Sequence, residues 1–327
     1  DSMFKISFGS VFQRWQQAPR SGLWLAGLIG CALAITPVTV ALAQDGNAAA
    51  DEPHVLTIAV GNSEPGHVDF MTGLISAFNT RSGVGEVTER PLIALLTVDD
   101  GKAAMEAAQS GLADFAFATL ASYNVEHGQD DAVWYRPLAV EVLTIVTRRN
   151  RLVRDPRQLR GLRVEIAGSR VDRLTREMNT LLEPYGISIA DGSFVSSGDM
   201  SEDDAFLRLC RSEYDVRVDM VIHPLPAFAG NLPCEVRFLS FVEMDVPETS
   251  GPGTMRYVTS ADTYSWLRQD FTSLGNAVAL IQFDKTKHQA FRDELVNYIN
   301  LRSQDHPGLL SSFDASFWAG KNPEPTQ

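Results

Sequence analysis

The stretch 101–123, GKAAMEAAQSGLADFAFATLASY, constrains the fold more than any other part of the chain. Residues 102–110 are rich in Ala, Met, Glu and Gln, which favour helix. Gly111 stands where such a helix ends, because the position after the last turn favours a left-handed residue without a Cβ. Residues 113–118 form a short apolar run with Asp114 at its mouth. A strand that short and that apolar is covered on both faces, as in a parallel sheet. Residues 119–123 then follow its carboxyl end, which is where open α/β sheets bind ligands. Without a ligand the same pattern is an ordinary αβ unit.

The 327 residues suffice for one large domain or two modest ones, and 44% hydrophobic with 21% charged residues are globular values. A formal net charge of −13 argues against a nucleic-acid partner, because an acidic chain repels phosphates. It also disfavours simple adsorption to an anionic membrane surface.

The first 43 residues differ in kind. Lys5, Arg14 and Arg20 precede an apolar run over 22–43 that closes on Ala41-Leu42-Ala43. A basic region, an apolar core and a small-x-small end make an export signal, with Met3 as its start. The run is also long enough to span a bilayer, so residues 1–43 read as a cleaved signal peptide or as an uncleaved membrane anchor. In both cases residues from Gln44 onward lie outside the cytoplasm, in the periplasm, free or tethered to the inner membrane by 22–43. Without 1–43 the chain loses three basic groups and Asp1, leaving 25 Lys and Arg against 40 Asp and Glu. Cys31 lies in the apolar run. Cys210 and Cys234 remain for an oxidising compartment, as two buried thiols or as a disulfide whose loop stabilises by roughly 3 kcal/mol.

In chain order, residues 44–53 are a polar, Ala-rich linker. Residues 54–60 are a β-rich run, 61–66 (GNSEPG) a turn cluster, and 67–80 carry helical spacing with Phe70, Leu74, Ile75 and Phe78 on one face. A second strand falls within 86–98. Residues 137–148 form the longest β-like run, long enough to pass between domains. A helix start at Asp155-Pro156, a stop at Gly161, a strand over 162–167 and a helix over 171–185 ending at Gly186 repeat the first order of strand, Gly/Ser loop and helix. A further helix over 201–210, strands over 216–222 and 235–242, a Pro/Gly loop over 247–253, a second crossing strand over 270–283 and a closing helix over 287–303 complete the pattern. The expected architecture is α/β, two lobes joined by two hinge-crossing strands. Residues 54–146 are the first part of lobe 1, 147–254 are lobe 2, 255–320 return to lobe 1, and 321–327 form a tail.

Several segments in order resemble the TAXI-type (TRAP-associated extracytoplasmic immunogenic) solute receptors that serve TRAP transporters. Leu56-Thr57-Ile58-Ala59-Val60-Gly61 is similar to that family's opening strand and loop, and Ser110-Gly111-Leu112-Ala113-Asp114-Phe115-Ala116 to its Ser/Ala-Gly-x-Ala-Asp-Phe-Ala. Residues 155–169 resemble its Asp-Leu-x-Gly-x-x-Val…Gly-Ser segment. Cys210…Asp219…His223-Pro224…Cys234 is similar to its Cys…Asp-Ala…Gly-His-Pro…Cys block, and Thr272-Ser273-Leu274-Gly275 to its late crossing strand. The resemblance spans roughly 54–305. It implies a type II periplasmic binding fold, a small and often carboxylated ligand, membrane transporter subunits as partners, and no cofactor.

The chain departs from that pattern at the expected ligand loops. The first loop, over 61–70, lacks the family's paired tyrosines. Thr119-Leu120-Ala121 stands where the family places Gln-Ser-Asp, and Gly168-Ser169-Arg170-Val171 where it has Gly-Ser-Gly-Thr. An Arg170 guanidinium can pair a carboxylate bidentately, and it can equally fill the cleft or point into solvent among its acidic neighbours.

Nothing supports catalysis: the chain has no Gly-x-Ser-x-Gly elbow and no His-Glu-x-x-His pair. The acids Glu202-Asp203-Asp204 follow Ser201 and are accounted for by a helix's first turn, without a metal. Strand-end loops make Asn62, Ser63, Thr119, Ser122, Tyr123, Ser169, Arg170 and His223 the candidate ligand-binding residues. Each is equally able to cap a helix or to satisfy backbone, and His223 reads as the structural member, held in a His-Pro turn. Closure would be hinge motion in 142–147 and 273–279. The rival expectation is a receptor fold that has lost its ligand and serves, anchored by 22–43, as an accessory subunit of another membrane complex.

Overall fold

A computed structural model describes residues 55–80, 92–120, 133–151, 153–167, 171–191, 193–197, 202–230, 232–247, 249–251, 253–302 and 308–309. Among the described residues no helix is long and apolar enough to cross a membrane.

The chain opens on strand β1 (Val55–Gly61), helix α1 (His67–Thr80), strand β2 (Leu92–Val98), helix α2 (Gly101–Gln109) and strand β3 (Phe115–Thr119). Of the expected α1 face Leu74, Ile75 and Phe78 are buried and Phe70 is half-buried, with Met71 buried beside them. Asp100 caps α2 by accepting the Ala103 N–H at 2.8 Å. At the other end of α2, Gly111 has φ +79°, while the Gly111 and Leu112 N–H groups close back on the Ala108 and Ala107 carbonyls. The five residues of β3 are all buried. Asp114, at the mouth of β3, accepts the Thr57 N–H at 2.8 Å with one oxygen and meets His288 Nε2 at 2.9 Å with the other.

The long strand β4 (Trp134–Arg148) then crosses into a second half made of β5 (Arg163–Ala167), α3 (Val171–Leu182), β6 (Ser193–Ser197), α4 (Glu202–Cys210), β7 (Val216–Ile222), the short helix α5 (Pro226–Ala229) and β8 (Val236–Phe238). Gly161 and Gly186 take positive φ at their expected stops. A hairpin of β9 (Thr249–Gly251) and β10 (Thr254–Thr259) stands where the sequence suggests only a Pro/Gly loop. Its pairing with the next strand, β11 (Phe271–Gln282), is long-range and leaves no local signature. Helix α6 (Gln289–Arg302) closes the described chain. The apolar run at 235–242 yields only three residues of strand, because beyond Phe238 the segment leaves β4: Leu239 still bonds the Ile145 carbonyl, but Phe241 bonds Thr272 of β11.

The sheet order is β2-β1-β3-β11-β4-β7-β5-β6. It reads the same from both edges inward: second strand, first strand, third strand, then a crossing strand antiparallel to the third. This duplicated order with two crossings is the type II arrangement the sequence implies, an α/β fold of two lobes. Each crossing strand serves both lobes. Residues 278–281 of β11 pair with β3, whereas its residues 271–276 pair with β10. Residues 134–142 of β4 pair with β11, whereas its residues 141–147 pair with β7.

The directions fix where the lobes meet. β3 and β4 both lie antiparallel to β11 and so run alike, towards the second lobe, while β7 is antiparallel to β4 and runs back. The carboxyl end of β3, Thr119, reaches Val278 opposite Ala139. The carboxyl end of β7, Ile222, reaches Glu141. Both sets of strand ends therefore converge on the seam at 139–142 of β4, at the amino edge of the stretch 142–147. The core follows the same division. One apolar cluster lies under α1 and α6, one under α3, and a third on the opposite face runs past α2 and α4.

Candidate functional site

Four polar side chains, Glu64, His67, Glu141 and Arg173, meet at the seam, and each arrives from a different element. Glu64 comes from the β1–α1 loop, His67 is the first residue of α1, Glu141 lies in β4, and Arg173 is in the first turn of α3. The imidazole of His67, fully buried, holds Nε2 3.3 Å from Glu141 Oε2 and Nδ1 3.3 Å from Glu64 Oε2. Nε2 is hydrogen-bonded to Glu141, while the Nδ1 contact with Glu64 is one of proximity. The Arg173 guanidinium donates to Glu141 Oε1. Glu141 is 0% exposed and the Arg173 side chain 14%, so this is a buried pair, in which each charge is answered by the other. Burial lowers the Arg173 pKa, opposed by the carboxylates of Glu64, Glu177 and Asp219.

Glu64 belongs to this cluster by packing as well as by charge. A Cβ on Gly101 would lie 2.7 Å from Glu64 Oε1, and one on Gly61 2.7 Å from Oε2. Only glycines at the end of β1 and the start of α2 leave room for that carboxylate. It rests against the first residue of α2, the positive end of the helix. Its Oε2 is buried without a hydrogen bond among the described residues.

A second charged group stands on β5 and β7. Arg217 reaches Glu165 at 3.2 Å and Asp219 at 3.0 Å, all three nearly sealed from solvent. Burial raises the Glu165 pKa, with Arg217 as the main opposing influence. Asp219 also acts on Arg173, which couples the two groups across the second lobe.

The strand-end residues fall in several places. Asn62 is exposed and Ser63 half-buried, and their N–H groups bond the Val98 and Asp99 carbonyls at 2.8 and 3.0 Å, which staples the loop to the exit of β2. Thr119 is fully buried at the end of β3. Ser122, Tyr123, Ser169 and Arg170 lie outside the described residues. His223 follows β7 in a cis His223–Pro224 bond and is 7% exposed. Thr144 Oγ1 gives its one hydrogen to the Val142 carbonyl, which leaves it to accept from His223 Nε2 and leaves Nδ1 to accept from Tyr264 Oη at 2.5 Å, while Tyr264 Oη itself accepts the Leu225 N–H at 2.7 Å. Nε2 then carries the ring's proton and donates to Thr144 Oγ1 at 2.9 Å. With rings of Phe228, Phe238 and Phe271 around it, burial lowers the His223 pKa to about 3. Both ring nitrogens are engaged by the protein's own hydroxyls.

Cys210, at the end of α4, is bonded to Cys234, with the Cα atoms 5.7 Å apart. The bridge clips α4 to the entry of β8.

The seam cluster was missed from sequence although one of its members carries a signal. Glu141 is a lone acid inside an apolar β run, and a charge buried in a strand needs a partner. Arg173 is the weaker signal, a cation in a helix's first turn, against the dipole. Neither says which residue is the other's partner.

No family model matches the sequence, and no curated protein matches it. Among solved structures, OxyR of Corynebacterium glutamicum is similar with a TM-score of 0.48 at 13% identity, over 79% of this chain and 67% of that one. The probable amino-acid ABC transporter extracellular-binding protein ytmK of Bacillus subtilis is similar with a TM-score of 0.47 at 11% identity, over 78% and 94%. The periplasmic aliphatic sulphonate binding protein SsuA of Escherichia coli gives 0.44 at 13%, over 78% and 74%.

Proposed function

We propose that this chain is an extracytoplasmic solute-binding receptor of the TAXI type, which captures a small anionic solute at the seam and hands it to a TRAP-type membrane transporter. The observation that carries the reading is the convergence of both lobes' strand ends on one seam, with a buried cation, Arg173, in the first turn of the helix that faces it. The disulfide agrees with an oxidising compartment. Capture by hinge motion about the two crossing strands would bring α1 and α3 together over the solute. Asn62, Ser63, Thr119, Ser122, Tyr123, Ser169, Arg170 and His223 remain the strand-end candidates, and Arg173 joins them.

One observation favours a second reading. Arg173 is already neutralised by Glu141, with Glu64 close by, so the cation an anionic solute would seek is satisfied from within. A receptor fold filled in this way suits a ligand-free accessory subunit of a membrane complex, anchored by 22–43. Native mass spectrometry of the protein taken from membranes in mild detergent separates the two. A chain beginning near Gln44 and carrying one low-mass acidic adduct supports the receptor. A full-length chain travelling with other membrane subunits and without adduct overturns it.

A further inference from the structure

We propose a second binding site, independent of the seam and of any solute held there, for an organic anion that carries an apolar body. The site is a groove of about 520 Å³ walled by Arg149, Arg154, Arg237 and Arg268. Its floor residue Phe238 pairs with Val146 and its rim residue Arg149 follows β4, so it lies roughly 16–26 Å along β4 from Glu141, at about 3.3 Å per residue.

The charge of this groove runs against that of the chain. The protein carries a net −13, yet residues 148–163 hold seven arginines and the single acid Asp155. Three of those arginines, Arg148, Arg151 and Arg163, converge on Asp215 at 4.0, 3.0 and 3.3 Å. Those that turn to the groove have no such sink. Among the described residues Arg149 pairs with Glu235, at 3.8 Å, and both are exposed, which makes a weak, screened pair. Arg237 donates to the Arg149 carbonyl, and its Nε is buried without a hydrogen-bond partner among the described residues. Arg154 and Arg268 are exposed, and no carboxylate among the described residues pairs with either.

The floor is apolar. Phe238 packs on Phe271 at 4.6 Å and on Trp266 at 5.0 Å between ring centroids. The volume falls in the range of small-molecule sites, about 300–1,000 Å³. Guanidinium forks match the paired oxygens of a carboxylate, phosphate or sulfonate, and the aromatic floor rewards an apolar body attached to that head. A neutral solute would leave the cations unanswered, and a bare inorganic anion would leave the floor wet. Both the head and the body are therefore required.

The test uses the full-length chain and three probes in isothermal titration calorimetry: phenyl phosphate, inorganic phosphate and benzyl alcohol. Phenyl phosphate is expected to bind one-to-one, at least tenfold more tightly than either of the others and more weakly as salt rises. The double variant Arg154→Gln, Arg268→Gln, whose sites are exposed, should lose at least tenfold of that affinity. Co-sedimentation with phosphatidylcholine vesicles, with and without phosphatidylglycerol, distinguishes a lipid headgroup from a free anion as the source. Pelleting that requires phosphatidylglycerol and is lost in the double variant identifies the lipid, and phenyl phosphate binding without such pelleting identifies a free anion. If phenyl phosphate binds no better than benzyl alcohol and no vesicle pelleting depends on the arginines, the proposal fails. The comparison of the three probes on the unaltered protein holds whatever the variant's stability.

Discussion

Replacing Arg173 by Met removes the guanidinium that pairs with Glu141 at the seam while keeping a side chain of similar length. Glu141, fully buried, would then face His67 alone, and Glu64, 6% exposed, would lose its electrostatic interaction with Arg173. Breaking a buried pair by deleting one partner costs about 3–5 kcal/mol, because an uncompensated charge is left inside. The value here should fall at the lower end, since the imidazole still touches both carboxylates. For a protein of this size 1 kcal/mol moves Tm by about 2–4 °C, so Arg173→Met should lower it by roughly 6–12 °C. The companion variant Arg173→Met with Glu141→Leu removes both charges. Buried pairs exchanged for apolar groups are neutral or better, so it should recover most of the loss. Urea unfolding at neutral pH, followed by circular dichroism, reads both. A loss under about 1 kcal/mol for the single variant, or a double variant as unstable as the two losses added, would refute the view that these charges are held by one another.

Three further outcomes follow from the same contacts. His223 is held neutral with a pKa near 3, whereas the unfolded chain protonates it near 6.5; the folded state therefore binds fewer protons across that interval, and stability falls as pH drops through it, by up to about 1.4 kcal/mol per unit. His223→Gln should flatten that slope in a stability-against-pH series, and parallel curves would contradict the assignment. Reducing the Cys210–Cys234 bridge, or Cys210→Ser with Cys234→Ser, releases the loop of 24 residues and should cost roughly 3 kcal/mol in urea unfolding. Gly61→Ala should destabilise more than Gly101→Ala, because the new Cβ at Gly61 meets the backbone at Asp100, 2.6 Å away, as well as Glu64. At Gly101 it meets chiefly the carboxylate of Glu64. Adding Glu64→Ala should rescue Gly101→Ala and not Gly61→Ala, with each step about 1–3 kcal/mol in Tm-derived stability.

The local part of the fold was legible in the chain. Gly111, Gly161 and Gly186 end their helical turns with positive φ because only a residue without a Cβ takes that conformation without strain. The α1 face, the buried β3 run and the two long strands were readable for a similar reason: burial on one face or both imposes a period that a short window contains. The paired cysteines were visible as a pair, and the 5.7 Å between their Cα atoms is what turned the pair into a bridge.

The seam and the groove came from tertiary structure alone. Glu141 meets a histidine 74 residues before it and an arginine 32 residues after it, and no sequence window reports which distant helix end arrives beside a strand. The hairpin of β9 and β10 was hidden because its support comes from β11. Arg237 and Arg268 join the basic stretch only when β8 and the entry to β11 are folded against the end of β4. The sequence by itself determined the elements, since propensity, capping and periodicity act over a turn or a strand. Only the tertiary structure decided which charges are neutralised and which are left open, because electrostatics acts through space, where distance along the chain has no bearing.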